Sequence, residues 1–177
     1  MHIIIDGYNL IRQSDVFRAA EKTSLETGRN RLIHSLALYN HSKSHKITVV
    51  FDGWIEGSPQ EERYRERGID VVYSRRGERA DEVIKRMARR GGSDLLVVSS
   101  DRDIALSVTK AGGVALSSHQ FETKMKDDHG GQPPSGQFPG DGDDDEQSER
   151  IASTKKKGPA RKRSKRERKT LKALRKL

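Results

Sequence analysis

The sequence predicts an α/β fold, with a mostly parallel central sheet covered by helices on both faces. Three observations carry that prediction. Short apolar runs alternate with amphipathic stretches, the pattern of successive right-handed strand–helix–strand units. The runs are continuous, as in strands buried on both faces rather than on one. Hydrophobic content is only 32% of 177 residues, yet nearly all the apolar runs fall before about residue 118, so that stretch can bury one core.

The elements follow in order. Residues 2–5 form a short buried strand. Residues 25–42 form a helix, because Leu32, Ile33, Leu36 and Tyr39 recur at helical spacing. KITVVF, residues 46–51, is a β-branched second strand, and IDVVY, residues 69–73, a third. Residues 80–90 form a helix with Val83, Ile84 and Met87 on one face, stopped by Gly91 and Gly92. DLLVVS, residues 94–99, is the fourth strand. Residues 102–111 form a helix ended by Gly112 and Gly113, residues 114–116 a fifth strand, and residues 119–126 a last helix.

After residue 126 the character changes. The expected organisation is a folded domain over 1–126, a Gly/Pro-rich and acidic linker over 127–150, and a disordered basic tail over 151–177. GGQPPSGQFPGDG cannot pack a core and reads as a flexible linker. Net charge is +9, but the tail alone carries thirteen Lys or Arg against one acid, so the rest of the chain is close to neutral. Such a tail is attracted to nucleic-acid phosphates; acidic protein or anionic lipid would also suit it. Leu171, Leu174 and Leu177 are spaced by three, so the last dozen residues can form a helix on a partner; alone it would be marginal.

Several classes are excluded. Without cysteine there are no disulfides, thiolate metal sites or cysteine nucleophiles. No apolar run is long enough to span a membrane, and no basic-then-apolar leader opens the chain, so a cytoplasmic protein with no membrane partner is expected. GxxxxGK[ST], GxGxxG after a strand and GxSxG are all missing, so no nucleotide cofactor is expected. His41 and His45 stand four apart, but at a helix end, a poor setting for zinc.

What remains is a set of carboxylates. The first strand runs into Asp6, the second into Asp52 (VVFDG) and the fourth into SSDRD, with Asp101 and Asp103; Asp81 and Glu82 open the helix after the third. In a parallel sheet all of these gather at the carboxyl ends of the strands, where ligands bind. One aspartate after a strand ordinarily caps a turn or helix, and Asp81 looks like such an N-cap. Asp103 has a similar ordinary role open to it, capping or salt-bridging its own helix. Together, however, crowded carboxylates need neutralising. Mg²⁺ or Mn²⁺, which take oxygen ligands, is the simplest answer. One such ion generates a hydroxide nucleophile; two about 4 Å apart stabilise both oxygens of an in-line phosphodiester displacement. Asn9 can hold a water or a phosphate oxygen, and Ser99 and Ser100 can donate to phosphate or orient a carboxylate.

DGYN near the N-terminus, FDG after the second strand, ADE at a helix start and SSDRDI after the fourth strand resemble the NYN domain, and more closely its YacP-like branch of the PIN-fold ribonucleases. The resemblance covers about residues 1–125. It implies a three-layer PIN-like α/β/α fold with strand order 3-2-1-4-5 and a divalent-metal-dependent endoribonuclease that cuts messenger RNA in association with the ribosome. Carried over by motif, Asp6 and Asn9 match the first acidic motif, Asp81 the middle one, and Asp101 and Asp103 the last. These five are the expected catalytic residues. Asp6, Asp81, Asp101 and Asp103, joined by Asp52, are the expected metal ligands.

Arg75, Arg76 and Arg79 lie just before Asp81 and can guide phosphates, as can Lys155, Lys156, Lys157, Arg161, Lys162 and Arg163 of the tail. Tyr8 and Trp54 can stack on a base or simply pack. Two other functions stay open: a non-catalytic RNA- or ribosome-binding module with a vestigial acidic site, and a DNA nuclease of related fold.

Overall fold

The structure, a computed structural model, describes residues 1–53, 58–128 and 164–177. Trp54 and the tail residues Lys155, Lys156, Lys157, Arg161, Lys162 and Arg163 lie outside the described residues.

Strand β1 (His2–Asp6) is the centre of the sheet. It pairs in parallel with β2 (Lys46–Phe51) on one side and β5 (Leu95–Val98) on the other. Beyond β2 lies β4 (Ile69–Tyr73), and beyond β5 lies β6 (Val114–Leu116), both parallel. These five strands have the order expected, 3-2-1-4-5. A sixth, β3 (Glu62–Glu66), joins the β4 edge antiparallel. It is a hairpin partner, turned by Arg67 and Gly68, both with positive φ as a two-residue turn demands. Its sequence, ERYRE, has no apolar alternation and so gives no strand signal; its charges suit an edge strand.

Successive residues of each strand face opposite layers. Ile3, Ile5, Val49, Phe51, Val71, Leu96 and Val98 face one core. That core is closed by α1 (Gly7–Gln13), α2 (Asp15–Thr23), α3 (Leu25–Asn40) and α6 (Ser118–Asp128). Ile4, Val50, Val72, Leu95 and Val97 face the other, closed by α4 (Ala80–Gly91) and α5 (Arg102–Lys110). The three-layer α/β/α arrangement is therefore present. Helices α1 and α2 are short and flow from one another through Ser14, which ends the first and caps the second; this left no periodic pattern to read.

The last residues of the tail, expected to be disordered, correct that expectation. A helix, α7 (Lys165–Leu174), forms there behind a capping box between Ser164 and Glu167. The partner it needs is the domain itself. Ala173 and Leu177 are buried in the first core, Tyr39 Oη donates to the Leu177 carbonyl at 2.9 Å, and Lys169 donates to the Gly112 carbonyl. Gly112 precedes β6 and Tyr39 lies at the end of α3 before β2, so α7 sits toward the amino ends of the strands.

Candidate active site

Parallel strands deliver their last residues to one rim, and β1 delivers Asp6. Its carboxylate caps α1, accepting from the Asn9 N–H at 3.2 Å, and also accepts from Ser99 Oγ at 3.0 Å. Both the turn-capping role and the cleft role are thus filled by one side chain. Strand β5 ends one bond ring away: Ser99 Oγ also accepts from the Asp101 N–H at 3.2 Å. Asp101 in turn caps α5, accepting from the N–H groups of Asp103 and Ile104. Ser99 therefore couples the first and last acidic motifs.

Asp6, Asn9, Asp52, Asp81 and Asp101 all line a single cavity of about 1030 Å³. Asp6 is buried, and that burial pushes its carboxyl up to about 6, with the Asp81 and Asp101 charges adding to the effect. Burial, then the charge of Asp101, also raises Asp81. Asp81 is not the N-cap its sequence context suggested; Arg79 holds that place without a side-chain capping bond, and Asp81 faces the cavity from the first turn. Asp103 is placed differently from the four cavity aspartates. It is 75% exposed and does not line the cavity; its carboxylate pairs with Lys85 of α4 at 2.5 Å.

Asn9 is a hub. Its Oδ1 accepts from the Ser100 N–H (3.0 Å), Ser118 Oγ (2.8 Å) and Gln13 Nε2 (3.4 Å). The backbone donor fixes the amide's orientation. Nδ2 then makes no hydrogen bond among the described residues, and remains a donor for a ligand. Of the three loop arginines, Arg79 lines the cavity, whereas Arg75 is exposed and pairs with Glu78 at 3.3 Å, and Arg76 is exposed at the loop.

Two details set the rim, a glycine inside the DGYN motif and a serine with no sequence signal of its own. A Cβ on Gly7 would lie 2.3 Å from Phe51 Cε1, so the DG step exists to let α1 start against that ring. The ring is held between Tyr8 (5.3 Å, edge-on) and Tyr73 (5.5 Å, stacked) and cannot yield freely. Gly7→Ala is expected to cost about 1–3 kcal/mol through overpacking, measured by urea unfolding; unchanged stability would show that the ring moves. Buried Ser74, at the end of β4, accepts from the Gly53 N–H at 2.9 Å and so holds the FDG loop that carries Asp52. The cavity also takes in Arg12, Arg29, Tyr73 and Glu62, from α1, α3, β4 and β3, which the motifs did not mark.

An acidic cleft at the carboxyl rim of a parallel α/β/α sheet is the arrangement of a PIN-like nuclease fold. A family model described as the YacP-like NYN domain matches residues 3–176, and the chain belongs to that family. The match reaches beyond residue 125 and includes α7. The chain is 28% identical over 87 residues to the YacP protein of Bacillus subtilis (strain 168), an alignment covering 49% of this chain and 51% of that one. It thus spans about half the length of the curated relative it matches. Two crystal structures of Rae1 (YacP) from Bacillus subtilis, one of them a point mutant, share the fold. Their TM-scores are 0.61 and 0.60 at 22% identity, over 72% of this chain and 75% and 74% of those. Among the described residues no helix is long and apolar enough to cross a membrane.

Proposed function

We propose that the protein is a divalent-metal-dependent endoribonuclease hydrolysing RNA phosphodiester bonds. One observation carries this reading: Asp6, Asp52, Asp81 and Asp101, from four separate segments, meet on one cavity, where burial, with neighbouring carboxylates adding to it, disfavours the ionised forms of Asp6 and Asp81. Such a set calls for a cation, and its donors are hard oxygens suited to Mg²⁺ or Mn²⁺. Among the described residues no three acidic or histidine side chains close into a ready-made metal cage. That is compatible with Mg²⁺, which keeps several waters and is held by one or two carboxylates plus substrate phosphates. Asp6, Asp81 and Asp101 would hold the ion, with Asp52 beside them. When bound, it supplies an activated water and charge stabilisation at the phosphodiester oxygens.

The chain's own groups do the rest. Ser99 orients Asp6 and keeps it in register with Asp101. Asn9 offers Nδ2–H to a non-bridging phosphate oxygen. Arg79 brings positive charge to the edge where the strand enters. The run of Lys and Arg over residues 151–163 would add affinity for RNA, with the ribosome as a setting rich in it, through phosphate charge. RNA as substrate and a cytoplasmic site of action rest on the family. The test is incubation of the purified chain with single-stranded RNA and matched DNA in Mn²⁺. RNA is expected to be cut, DNA to be spared, and EDTA to stop the reaction. Salt-dependent binding without any cleavage would instead make the protein an RNA-binding module, and equal cutting of DNA would broaden the substrate class.

A further inference from the structure

The cavity has a second wall that the acidic motifs do not use. Arg29, on α3, is half-buried in it. Its guanidinium donates to Tyr8 Oη at 2.9 Å and lies over the Tyr73 ring, 5.6 Å from the centroid. No carboxylate pairs with it among the described residues. Arg12, on α1, lies over the Tyr8 ring at 5.5 Å. Its only ion pair among the described residues is with Glu21, at 3.9 Å, and Arg12 is 68% exposed, so that pair is worth little. Two guanidinium groups thus flank Tyr8 and open on the same space as the aspartates. Tyr8 Oη and the neighbouring tyrosine rings hold the Arg29 charge in place of a carboxylate, which leaves guanidinium donors for an anion in the cavity. Leu25, exposed one helical turn before Arg29, adds an apolar contact on the same wall.

We infer that Arg12, Tyr8 and Arg29 form a phosphodiester-binding subsite for a strand that crosses the cavity, gripping a phosphate next to the one presented to the aspartates. The chemistry fits. Guanidinium groups bind phosphate oxygens through paired N–H donors, and the Tyr8 and Tyr73 rings keep both side chains pre-positioned. The acidic wall repels the strand except where a cation screens it, so the cationic wall fixes where the neighbouring phosphate lies and hence the path of the chain through the cleft. The inference rests on the nucleic-acid reading given above, but not on catalysis.

The test separates the two. Binding of a short fluorescent oligouridylate, and of its DNA counterpart, is measured across a salt series in EDTA, for the full chain and for Arg12→Gln and Arg29→Gln. Each variant is expected to lose about tenfold in affinity and to flatten the log–log salt slope by about 0.7, the value for one single-strand phosphate contact. Arg29→Lys is expected to keep the slope while losing part of the affinity, because it retains charge but not the paired donors. Arg12 is exposed, so its variant reports on binding rather than folding. An unchanged slope in either Gln variant overturns the subsite. Flattened slopes in a protein that never cuts RNA would leave the subsite standing and remove the nuclease; cutting with unchanged slopes would do the reverse. Equal losses on RNA and DNA are expected, since a phosphate contact carries no sugar preference; a loss confined to RNA would overturn phosphate as the group bound.

Discussion

Asp6→Asn is expected to abolish RNA cleavage and at the same time to make the protein more stable. The loss should be at least about 100-fold, the scale of removing one transition-state contact, because the site loses a charged ligand from its centre. The gain in stability has a separate origin. Asp6 is buried and its carboxyl stands at about 6, against an ordinary value near 3.8. Because the folded value is the higher one, ionisation opposes folding. The penalty is absent below pH about 4, grows as pH rises through 6, and is complete at neutral pH, where it amounts to about 3 kcal/mol. Asparagine caps a helix as well as aspartate does, so the bonds to Asn9 and Ser99 can be replaced without a charge. In EDTA at pH 7–8 the variant should therefore unfold several degrees higher, at about 2–4 °C per kcal/mol for a chain of this size, and the advantage should vanish toward pH 4. Mn²⁺ should raise the melting temperature of the wild type and not of the variant. A variant that melts lower than wild type at pH 8, in EDTA, would contradict the account of a strained carboxylate.

Removal of residues 164–177 is the second large effect. It strips Ala173 and Leu177 from the first core and removes the hydrogen bond from Tyr39 Oη to Leu177. Burial of a leucine side chain is worth about 1.5–3 kcal/mol and of an alanine methyl about 0.8 kcal/mol, and one lost hydrogen bond about 0.5–1.5 kcal/mol. The truncated chain is expected to lose about 3–5 kcal/mol, read by urea unfolding. Point variants discriminate within the helix. Leu177→Ala should cost about 2–5 kcal/mol, whereas Leu171→Ala, at a position 38% exposed, should cost little. Wild-type stability after truncation would mean that the helix is not part of the domain.

The five parallel strands were legible because each is a short run dominated by apolar and β-branched residues, even with Thr48 and Asp70 inside two of them, and their order followed once the motifs suggested the family. The antiparallel β3 was not, because ERYRE owes its strand conformation to pairing with β4 rather than to any pattern of its own. The four cleft aspartates could be read from their places at strand and helix ends. Asp103 could not be sorted from Asp101 by sequence: both follow the same strand, and only the geometry of the helix cap decides which one faces the cleft. Likewise the leucine spacing near the C-terminus announced a helix in need of a partner, but composition pointed outward to RNA while the structure supplies the domain's own core. Arg29 and Ser74 come from segments with no motif, and nothing short of the fold brings them to the rim.

A crystal soaked in Mn²⁺ and examined for anomalous scattering tests the central claim most directly. The account predicts a peak between Asp6, Asp81 and Asp101 that disappears in Asp101→Asn. Well-ordered aspartates with no peak among them at saturating Mn²⁺, or a metal bound elsewhere while RNA is still cut, would contradict it.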